Sequence, residues 1–569
     1  MRSRRGARAI VRVSGPFVGY LAVVVWLTWP LARAASTSLP STRYSALHDT
    51  LYSAWVLAWE SHALVTAPAH FADANIYHPT TGALFYGPAA LGALPLFAPV
   101  FLATGNAALA TNVMLVFGLA LTATAMHVIL RRWTGSELAG LVGASTLLAN
   151  PWLVRDFVPI VPHWAALGLL PLVAFTAAVP FPSTRAALRL LPLVVLQCLT
   201  DLVYVAPAVL APLGALIILR LLRPATRAAA LRLAAVLVLG GLALAPVYRG
   251  YLGVRAANPA LERQTTWTIA EADFAAPLPA RFLDGQFPFV VRPVTIVLVG
   301  VGALAALRRR RKGSAPPAPG GWAHGALWSV VGAVVSLPPT VTVAGGVYRT
   351  PMGLLDLWLH LYRTLRVPSR VGVAGLLGLG ILSGVAYGEI VALVGTRLRT
   401  ARAARLVRAG VAVVLVGLVF QANGVVPAGL PLQTPPDVPA AFAPVLRSSR
   451  GPLLELPAGP DGLAGNAHAA AMYRSTAHWR PLLNGYASYW PAGFAERMAA
   501  AARLPDADAL DGLVASTGLS LIWLHTRGLT REQLAAWTPP PRGLTVVARD
   551  GTDVLFAVLP TTPAARSLD

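Results

Sequence analysis

The sequence predicts a mainly α-helical bundle that crosses a membrane several times and is followed by a small α/β domain. Hydrophobic residues make up 56% of the 569 residues, and charged residues make up only 12%. Soluble proteins carry about 25% charged residues, so this chain cannot cover a globular surface with charge. The same composition excludes intrinsic disorder, which requires low hydrophobicity. After residue 423 the apolar pattern gives way to Pro-rich and more polar sequence.

The excess of basic residues is best interpreted as a membrane signal. The chain has 46 Lys and Arg against 23 Asp and Glu, which gives a formal net charge of +23. In a soluble protein this charge would favour nucleic-acid binding. Basic residues that flank apolar spans, however, usually mark the cytoplasmic side of a membrane. We therefore expect membrane lipids, and no nucleic acid, among the partners.

The first membrane span is predicted over residues 13–32, because a span needs about 20 mostly apolar residues. Several arginines precede it, which places its N-terminus inside. A cleavable signal peptide is the alternative, since the Ala and Arg residues at 32–35 loosely resemble a cleavage site. Later spans bring the predicted total to about eleven. Their centres lie near residues 118, 144, 172, 195, 213, 239, 299, 333, 381 and 414.

Basic clusters follow every second predicted span, and most acids fall on the opposite side. The clusters lie at residues 131–132, 185–189, 220–232, 308–312 and 397–408. This asymmetry and an odd number of spans place the chain end outside. We therefore expect a transmembrane domain over residues 1–423. Residues 424–569, here called the tail, are expected to form an extracytoplasmic α/β domain.

The first outer loop, about residues 35–106, is expected to contain interfacial helices. Residues 50–65 place Trp55 and Trp59 at helical spacing, which is typical of an amphipathic helix on a membrane surface. A simple aromatic belt is the alternative. Residues 88–105 are apolar enough to span, but their prolines break helical hydrogen bonding. We expect an interfacial or re-entrant helix there.

The tail reads as strands and helices of a small domain. Strands are predicted at residues 453–456 and 519–524, and a hairpin at 544–558 turns at Gly551. Helices are predicted at residues 495–502 and 507–516. An aromatic-rich run at residues 473–490 is interpreted either as a surface for sugar rings or as the domain core.

The candidate catalytic residues are acids near the outer membrane face. The sequence has no Gly-rich phosphate loop, zinc-protease motif or nucleophile elbow in its required context. A carboxylate beside a bilayer is costly and so marks a functional candidate. Asp49, preceded by His48, could accept a proton from a hydroxyl or bind a divalent cation. The alternative is a solvated loop residue.

The later outer segments add five more candidates. Asp156 and His163 lie in a short second outer loop, where Arg155 could simply pair with Asp156. Asp201, at the outer end of the fifth predicted span, is either a third acid of one cavity or a helix-end group. Arg366 and Arg370 lie outside, against the positive-inside trend. They suit a lipid-linked phosphate, which arginine binds in a bidentate manner, or an ion pair with Asp356 or lipid head groups.

The order of these features resembles the GT-C superclass of integral-membrane glycosyltransferases. It is most similar to large, poorly characterised bacterial members that have an outer C-terminal domain. The resemblance covers most of the chain in short, scattered motifs. After the first helix and Asp49 these are Asn75-Ile76-Tyr77-His78-Pro79, Thr104-Gly105-Asn106, Arg131-Arg132-Trp133-Thr134-Gly135, Asp156, Leu365-Arg366-Val367-Pro368-Ser369-Arg370, Leu454-Glu455-Leu456-Pro457 and Leu483-Asn484-Gly485-Tyr486.

The resemblance implies inverting transfer of a sugar from a polyprenyl-phosphate donor, on the outer face of the bacterial cytoplasmic membrane. Asp49 matches the catalytic first-loop acid, and Asp156 loosely matches the second-loop acid. Substrate binding is expected at His48, His163, Asp201, Arg366 and Arg370. A divalent metal, Mg or Mn, is the candidate cofactor, with Asp49 and Asp156 as its ligands. The acceptor, whether glycan, lipid or protein, is left unassigned.

Two other functions are alternatives at this point. The first is a non-catalytic cell-envelope assembly protein or glycan-binding protein that uses the tail. The second is a transporter or lipid flippase, a class that often shows inverted repeats and polar residues at mid-membrane. The chain departs from known GT-C patterns because the first loop has a single Asp at the key point, Asp49, and not an Asp-Asp or Asp-Glu pair.

Overall fold

The computed structural model describes most of the chain. The described residues are 2–41, 47–258, 282, 288–313, 315, 318, 320–343, 345–359, 365, 367–395, 400–425, 429–459 and 465–559. For residues 2–12, 47, 394–395 and 465 only the backbone is described. The predicted site residue Arg366 lies outside the described residues.

Helices are the main secondary structure of the described residues before the tail. In chain order they are α1 (Arg2–Leu27), α2 (Leu47–Thr66), α3 (Leu94–Thr104), α4 (Ala107–Thr134), α5 (Glu137–Leu148), α6 (Leu170–Ala178), α7 (Thr184–Leu188), α8 (Leu191–Cys198), α9 (Val205–Leu221), α10 (Arg227–Ala257), α11 (Pro293–Arg311), α12 (Gly321–Val335), α13 (Pro351–Leu359), α14 (Val373–Gly395) and α15 (Ala401–Ala422). A short hairpin, β2 (Thr340–Val343) and β3 (Gly346–Arg349), lies between α12 and α13.

Two motifs of the resemblance are signals that end one helix and start the next. Gly105 and Gly135 both adopt a left-handed backbone, with φ of 66° and 68°, and so terminate α3 and α4. Only glycine adopts this conformation without steric cost. The following residue then caps the next helix: the Asn106 side chain accepts a hydrogen bond from the Leu109 amide, and the Ser136 side chain accepts one from the Ala139 amide.

Within the described residues, four helices are long and apolar enough to cross a membrane. They are residues 107–134, 224–257, 368–393 and 401–422. Most other predicted spans coincide with shorter apolar helices. The predicted spans near residues 172 and 195 are helices of 9 and 8 residues, less than the about 20 that a span needs. Prolines at positions 171 and 192 start these helices and interrupt the apolar run.

The expectation of interfacial helices in the first loop is wrong for α2. Trp55 and Trp59 are buried in protein, where their indole N–H groups donate to the Asn75 side chain and to the Phe71 carbonyl. Neither a lipid-facing helix nor an aromatic belt describes them. The helical spacing of the aromatic residues was read correctly, but α3 and a tail helix, not lipid head groups, cover that face. The second apolar segment forms α3, whose 11 residues reach only about 16 Å.

The tail contains a four-stranded mixed sheet with helices packed on it. The strand order is β5 (Leu453–Leu456), β6 (Leu521–His525), β8 (Asp553–Val558) and β7 (Leu544–Asp550), with β5 and β6 parallel and the other pairs antiparallel. These strands confirm the predicted strands and the hairpin at Gly551. The tail helices are α16 (Ala443–Ser448), α17 (Gly465–Ser475), α18 (Phe494–Arg503), α19 (Ala507–Thr517) and α20 (Arg531–Ala535).

The tail packs directly onto the first loop. The short strand β1 (Leu39–Pro40) pairs with β4 (Leu432–Gln433). Helix α17 lies along α2, and one hydrophobic core contains residues of both segments, among them Trp55 and Trp523. The start of α2, where Asp49 lies, is therefore at the junction of the first loop and the tail.

Candidate functional site

Asp49 occupies the first turn of α2 and keeps much of its carboxylate open to solvent. Its side chain is 45% exposed. An acidic residue is favourable at this position because the helix dipole is positive at its N-terminal end. The Tyr486 hydroxyl donates to Asp49 Oδ1 at 3.1 Å. One carboxylate oxygen is thus fixed by the tail, and the side chain as a whole remains accessible.

His48 is fixed by the same part of the tail. Its Nδ1 donates to Asn466 Oδ1 at 3.1 Å, and its ring lies 4.8 Å from the Tyr486 ring. Its Nε2 lies 3.7 Å from Asp49 Oδ1. His48, Asp49, Asn466 and Tyr486 therefore form one polar group, here called the Asp49 cluster, at the surface between α2 and α17.

Asp156 forms an ion pair with its sequence neighbour, Arg155. Arg155 Nε donates to Asp156 Oδ1 at 2.9 Å, and Arg155 Nη2 donates to Asp156 Oδ2 at 3.2 Å. Arg155 also donates to the Gly424 carbonyl at 3.1 Å. Both carboxylate oxygens of Asp156 thus accept hydrogen bonds from arginine.

Three other predicted site residues, Arg370, His163 and Asp201, lie together in a second group. The Arg370 guanidinium lies 4.4 Å from the centre of the Phe157 ring and 5.4 Å from that of Tyr204. Its charge acts on both His163 and Asp201. Among the described residues, no acid lies within ion-pair distance of Arg370. His163 is 1% exposed, and no described residue forms a hydrogen bond with either of its ring nitrogens.

Asp201 behaves as a helix-end group. Its Oδ1 accepts from the backbone amides of Val203 and Tyr204, just before α9, and its Oδ2 accepts from Trp164 Nε1 at 3.1 Å. Burial raises the pKa of the Asp201 carboxyl, and these hydrogen bonds limit the increase. Of the two interpretations that the sequence left open, the contacts favour the helix-end role.

The predicted metal ligands do not form a metal site. Where the chain is described, no group of three or more His, Cys, Asp and Glu side chains could hold a metal ion. The two oxygens of Asp156 are occupied by a guanidinium, which repels a cation. No contact between described residues joins Asp156 to the Asp49 cluster. A shared Mg or Mn site at these two acids therefore does not fit.

Several motifs of the resemblance converge where the tail meets the first loop. The amide of Tyr77 donates to the Asn484 carbonyl, that of His78 to the Leu482 carbonyl, and that of Leu482 to the Asn75 carbonyl. The Asn484 side chain in turn holds both backbone groups of Glu455, at 2.8 and 3.0 Å. These motifs are distant in sequence but are joined by hydrogen bonds in the fold. Tyr486, at the end of one of them, thereby lies next to Asp49.

The contacts of Tyr486 and Asn466 with the start of α2 are not predictable from the sequence. Tyr486 ended one of the quoted motifs, but nothing in its sequence context points to residue 49. Asn466 carried no signal at all. Contacts across more than 400 residues depend on how the tail docks, which local periodicity does not encode.

Comparison with known proteins finds similarity in fold. No protein-family model and no curated protein matches the chain. Among solved structures, the arabinofuranosyltransferase AftD from Mycobacteria is similar over 96% of this chain, with 14% identity and a TM-score of 0.52. This chain spans 40% of the length of AftD. ArnT from Cupriavidus metallidurans gives TM-scores of 0.47 in the apo state and 0.44 when bound to undecaprenyl phosphate. The identities are 15% and 14%, with 98% and 95% of this chain and 98% and 97% of ArnT covered.

The similarity to AftD confirms the GT-C-like fold that the sequence resemblance implies. At 14% identity the likeness to AftD concerns the fold and not the activity.

Proposed function

We propose that the chain is a membrane glycosyltransferase that moves a sugar from a lipid-linked donor to an acceptor hydroxyl, with Asp49 as general base. The observation that carries this proposal is the Asp49 cluster. It presents an exposed carboxylate whose position is fixed by the Tyr486 hydroxyl. A general base must reach the proton it removes, and an exposed, oriented carboxylate meets that requirement.

The proposed reaction inverts the anomeric carbon. Asp49 takes the proton of the acceptor hydroxyl as the hydroxyl oxygen attacks the anomeric carbon. The bond from that carbon to the donor phosphate oxygen breaks, and the phosphate leaves with the electron pair. The products are the new glycoside and a polyprenyl phosphate, and the proton stays on Asp49 until it is released to water.

Arg370 is proposed to bind the donor phosphate. Its guanidinium is held between Phe157 and Tyr204, and no acid of the described residues neutralises it at ion-pair distance. Arginine matches phosphate oxygens geometrically and is charged at all relevant pH values. His163 is buried, no described residue bonds to either of its ring nitrogens, and it supplies a further hydrogen-bond donor beside Arg370. Arg366 is proposed as a second cation, from its sequence position alone.

The polyprenyl chain of the donor is proposed from the fold and the membrane spans. Among the long apolar helices of the described residues, 224–257 and 401–422 are mostly unburied and so offer a surface to lipid. The helix at residues 368–393 is largely buried in protein and begins at the segment that carries Arg370. An isoprenoid tail remains in lipid while its phosphate lies at the membrane surface. Following the charge asymmetry of the sequence, we place this surface and the tail on the outer face of the cytoplasmic membrane.

The test is transfer by the purified full chain in lipid nanodiscs with a panel of radiolabelled polyprenyl-phosphate sugars. Removing a general base costs about 10²–10⁴ in rate, so Asp49→Asn should lose transfer to that extent. Asp508→Asn is the matched control, since Asp508 is also exposed in the first turn of a helix, α19. It should keep full activity.

The outcomes separate the parts of the proposal. Full transfer by Asp49→Asn would show that the base is another group. Donor binding without any transfer would favour the binding or assembly function. Flux of the donor across vesicles without a covalent product would favour a flippase.

A further inference from the structure

A pocket in the tail is lined by residues other than Arg370 and those of the Asp49 cluster. It has a volume of about 240 Å³ and is lined by Glu455, Pro457, Ala467, Arg474 and His525. Glu455 and Pro457 come from the end of β5, Ala467 and Arg474 from α17, and His525 from the end of β6. The pocket therefore lies where two parallel strands end against a helix.

The polar wall of this pocket is an ordered network around a buried carboxylate. Glu455 is 2% exposed, and its Oε2 accepts from Arg474 Nε at 2.9 Å. His525 Nε2 lies 3.1 Å from the same oxygen, while His525 Nδ1 lies 2.9 Å from Asp553 Oδ2. Trp523 Nε1 also donates to Asp553. Burial raises the pKa of Glu455, but Arg474 and His525 outweigh this effect and hold the pKa at about 2.

One oxygen of this carboxylate is left without a donor. Glu455 Oε1 is buried, and no described residue donates a hydrogen bond to it. A buried ionised oxygen without a donor is costly, so native proteins rarely retain one without a purpose. A ligand in the pocket that carries a hydrogen-bond donor would satisfy it.

The remaining wall restricts the chemistry of that ligand. Arg474 is already engaged by Glu455, so it offers no free charge to an anion. A cationic donor would lie beside the Arg474 guanidinium and be repelled. Pro457 and Ala467 add an apolar surface of carbon atoms. The ligand should therefore donate a hydrogen bond to Glu455, carry no net charge and have an apolar face. A sugar ring, which is neutral and has hydroxyl groups on its edge and C–H groups on its face, meets these three conditions.

The pocket is adjacent to the Asp49 cluster along one helix. Asn466, which accepts from His48, directly precedes Ala467 in the first turn of α17. Successive helical residues point about 100° apart, so the side chains of Asn466 and Ala467 lie on neighbouring faces of the same turn. We propose that this pocket binds a neutral saccharide and, resting on the proposed function, that it holds the acceptor sugar chain beside Asp49.

The test measures binding by saturation-transfer NMR and calorimetry, with the full chain in lipid nanodiscs. The probes are linear trisaccharides of glucose, mannose, galactose and arabinose, with glucosamine and galacturonate trisaccharides as cationic and anionic comparisons. Ala467→Phe fills the pocket without touching its charges and should weaken binding by about ten-fold or more. Ala467→Ser, which leaves the space open, and Ala499→Phe, on an exposed face of α18, should bind as the wild type does.

Binding of at least one neutral probe that is lost only in Ala467→Phe supports the inference. The inference is overturned if no neutral trisaccharide binds, if Ala467→Phe binds like the wild type, or if the charged probes bind as tightly as the neutral ones. The proposed function is judged separately. Pocket-dependent binding without transfer retains the saccharide site and rejects the transferase, whereas transfer with unchanged kcat/KM in Ala467→Phe rejects only the acceptor role.

Discussion

At the scale of single residues, the position of Asp49 depends on one hydrogen bond from a distant part of the chain. The Tyr486 hydroxyl fixes Oδ1, and the His48 ring packs on Tyr486. An oriented carboxylate is a better base than a freely rotating one, because less ordering is needed to reach the transition state. In the proposed mechanism, Tyr486 is therefore a positioning residue and not a catalytic one.

We expect Tyr486→Phe to lower kcat for sugar transfer by about ten-fold, because a hydrogen bond to a charged group contributes about 1.5–3 kcal/mol. KM for the donor and the thermal midpoint should change little, since the aromatic ring is retained. The double variant Asp49→Asn/Tyr486→Phe should be no slower than Asp49→Asn alone. Losses that multiply in the double variant would mean that Tyr486 acts independently of Asp49.

Glu60 lies on the same helix as Asp49, but its carboxyl group is shielded from solvent, whereas that of Asp49 is exposed. It is fully buried; its Oε1 accepts from the Ala90 amide at 3.0 Å, and its Oε2 has no partner among the described residues. Burial raises its pKa to about 8, against the opposing effect of the Ala90 hydrogen bond. At neutral pH this side chain is therefore an uncharged acid that secures the loop before α3.

The raised pKa predicts that Glu60 makes stability fall as pH rises. The unfolded chain releases this proton near pH 4.5 but the folded chain only near pH 8, so stability is lost between those values. The slope from this group is at most about 1.4 kcal/mol per pH unit. Glu60→Gln keeps the shape and should flatten the dependence of the thermal midpoint on pH. An unchanged slope in Glu60→Gln would mean that Glu60 is ionised in the folded chain.

At the scale of elements, close helix packing depends on glycines that the hydropathy pattern does not distinguish. Helices α12 and α14 approach so closely that a Cβ atom at Gly332 would collide with the backbone of Gly375 and Ala374. Small residues at such crossings allow close contact between helices in membranes. At Gly300 in α11, by contrast, nothing lies within 4 Å of an added Cβ atom.

Gly332→Ala should destabilise the chain by about 1–3 kcal/mol, because backbone atoms cannot move aside as a flexible side chain can. Gly300→Ala is the matched control and should be neutral or slightly stabilising, since alanine favours helix more than glycine by about 1 kcal/mol. Thermal unfolding of both variants in the same detergent compares them. Equal midpoints would show that α12 and α14 can separate without cost.

The elements also show how far sequence reasoning extends. Strand Leu453–Leu456 and the hairpin at Gly551 are predictable because a short apolar run and turn residues are local signals. The environment of α2 was not predicted, because an amphipathic helix looks the same whether lipid or protein covers its apolar face. For Asp156 the sequence left a catalytic role and an ion pair with Arg155 both open, and for Asp201 a cavity acid and a helix-end group. Only the fold shows which hydrogen bonds these two residues make.

At the scale of the whole molecule, Asn484 links the tail to the first loop. Its side chain holds Glu455 of β5, and its carbonyl accepts from the Tyr77 amide. The strand that leads to the proposed saccharide pocket and the loop that follows α2 are therefore both hydrogen-bonded to Asn484. Docking of the tail and the geometry of the Asp49 cluster should then be coupled.

This coupling predicts that Asn484→Ala loosens both segments together. Loss of the two side-chain hydrogen bonds leaves buried backbone groups of Glu455 unpaired, at a cost of about 1–3 kcal/mol each. Hydrogen exchange measured by mass spectrometry should therefore speed up at residues 75–78 as well as at 453–456, while α4 and α14 keep their protection. Faster exchange confined to the tail would mean that the first loop keeps its structure without Asn484. In that case Tyr486 would have to be held at Asp49 by the remaining contacts between α17 and α2.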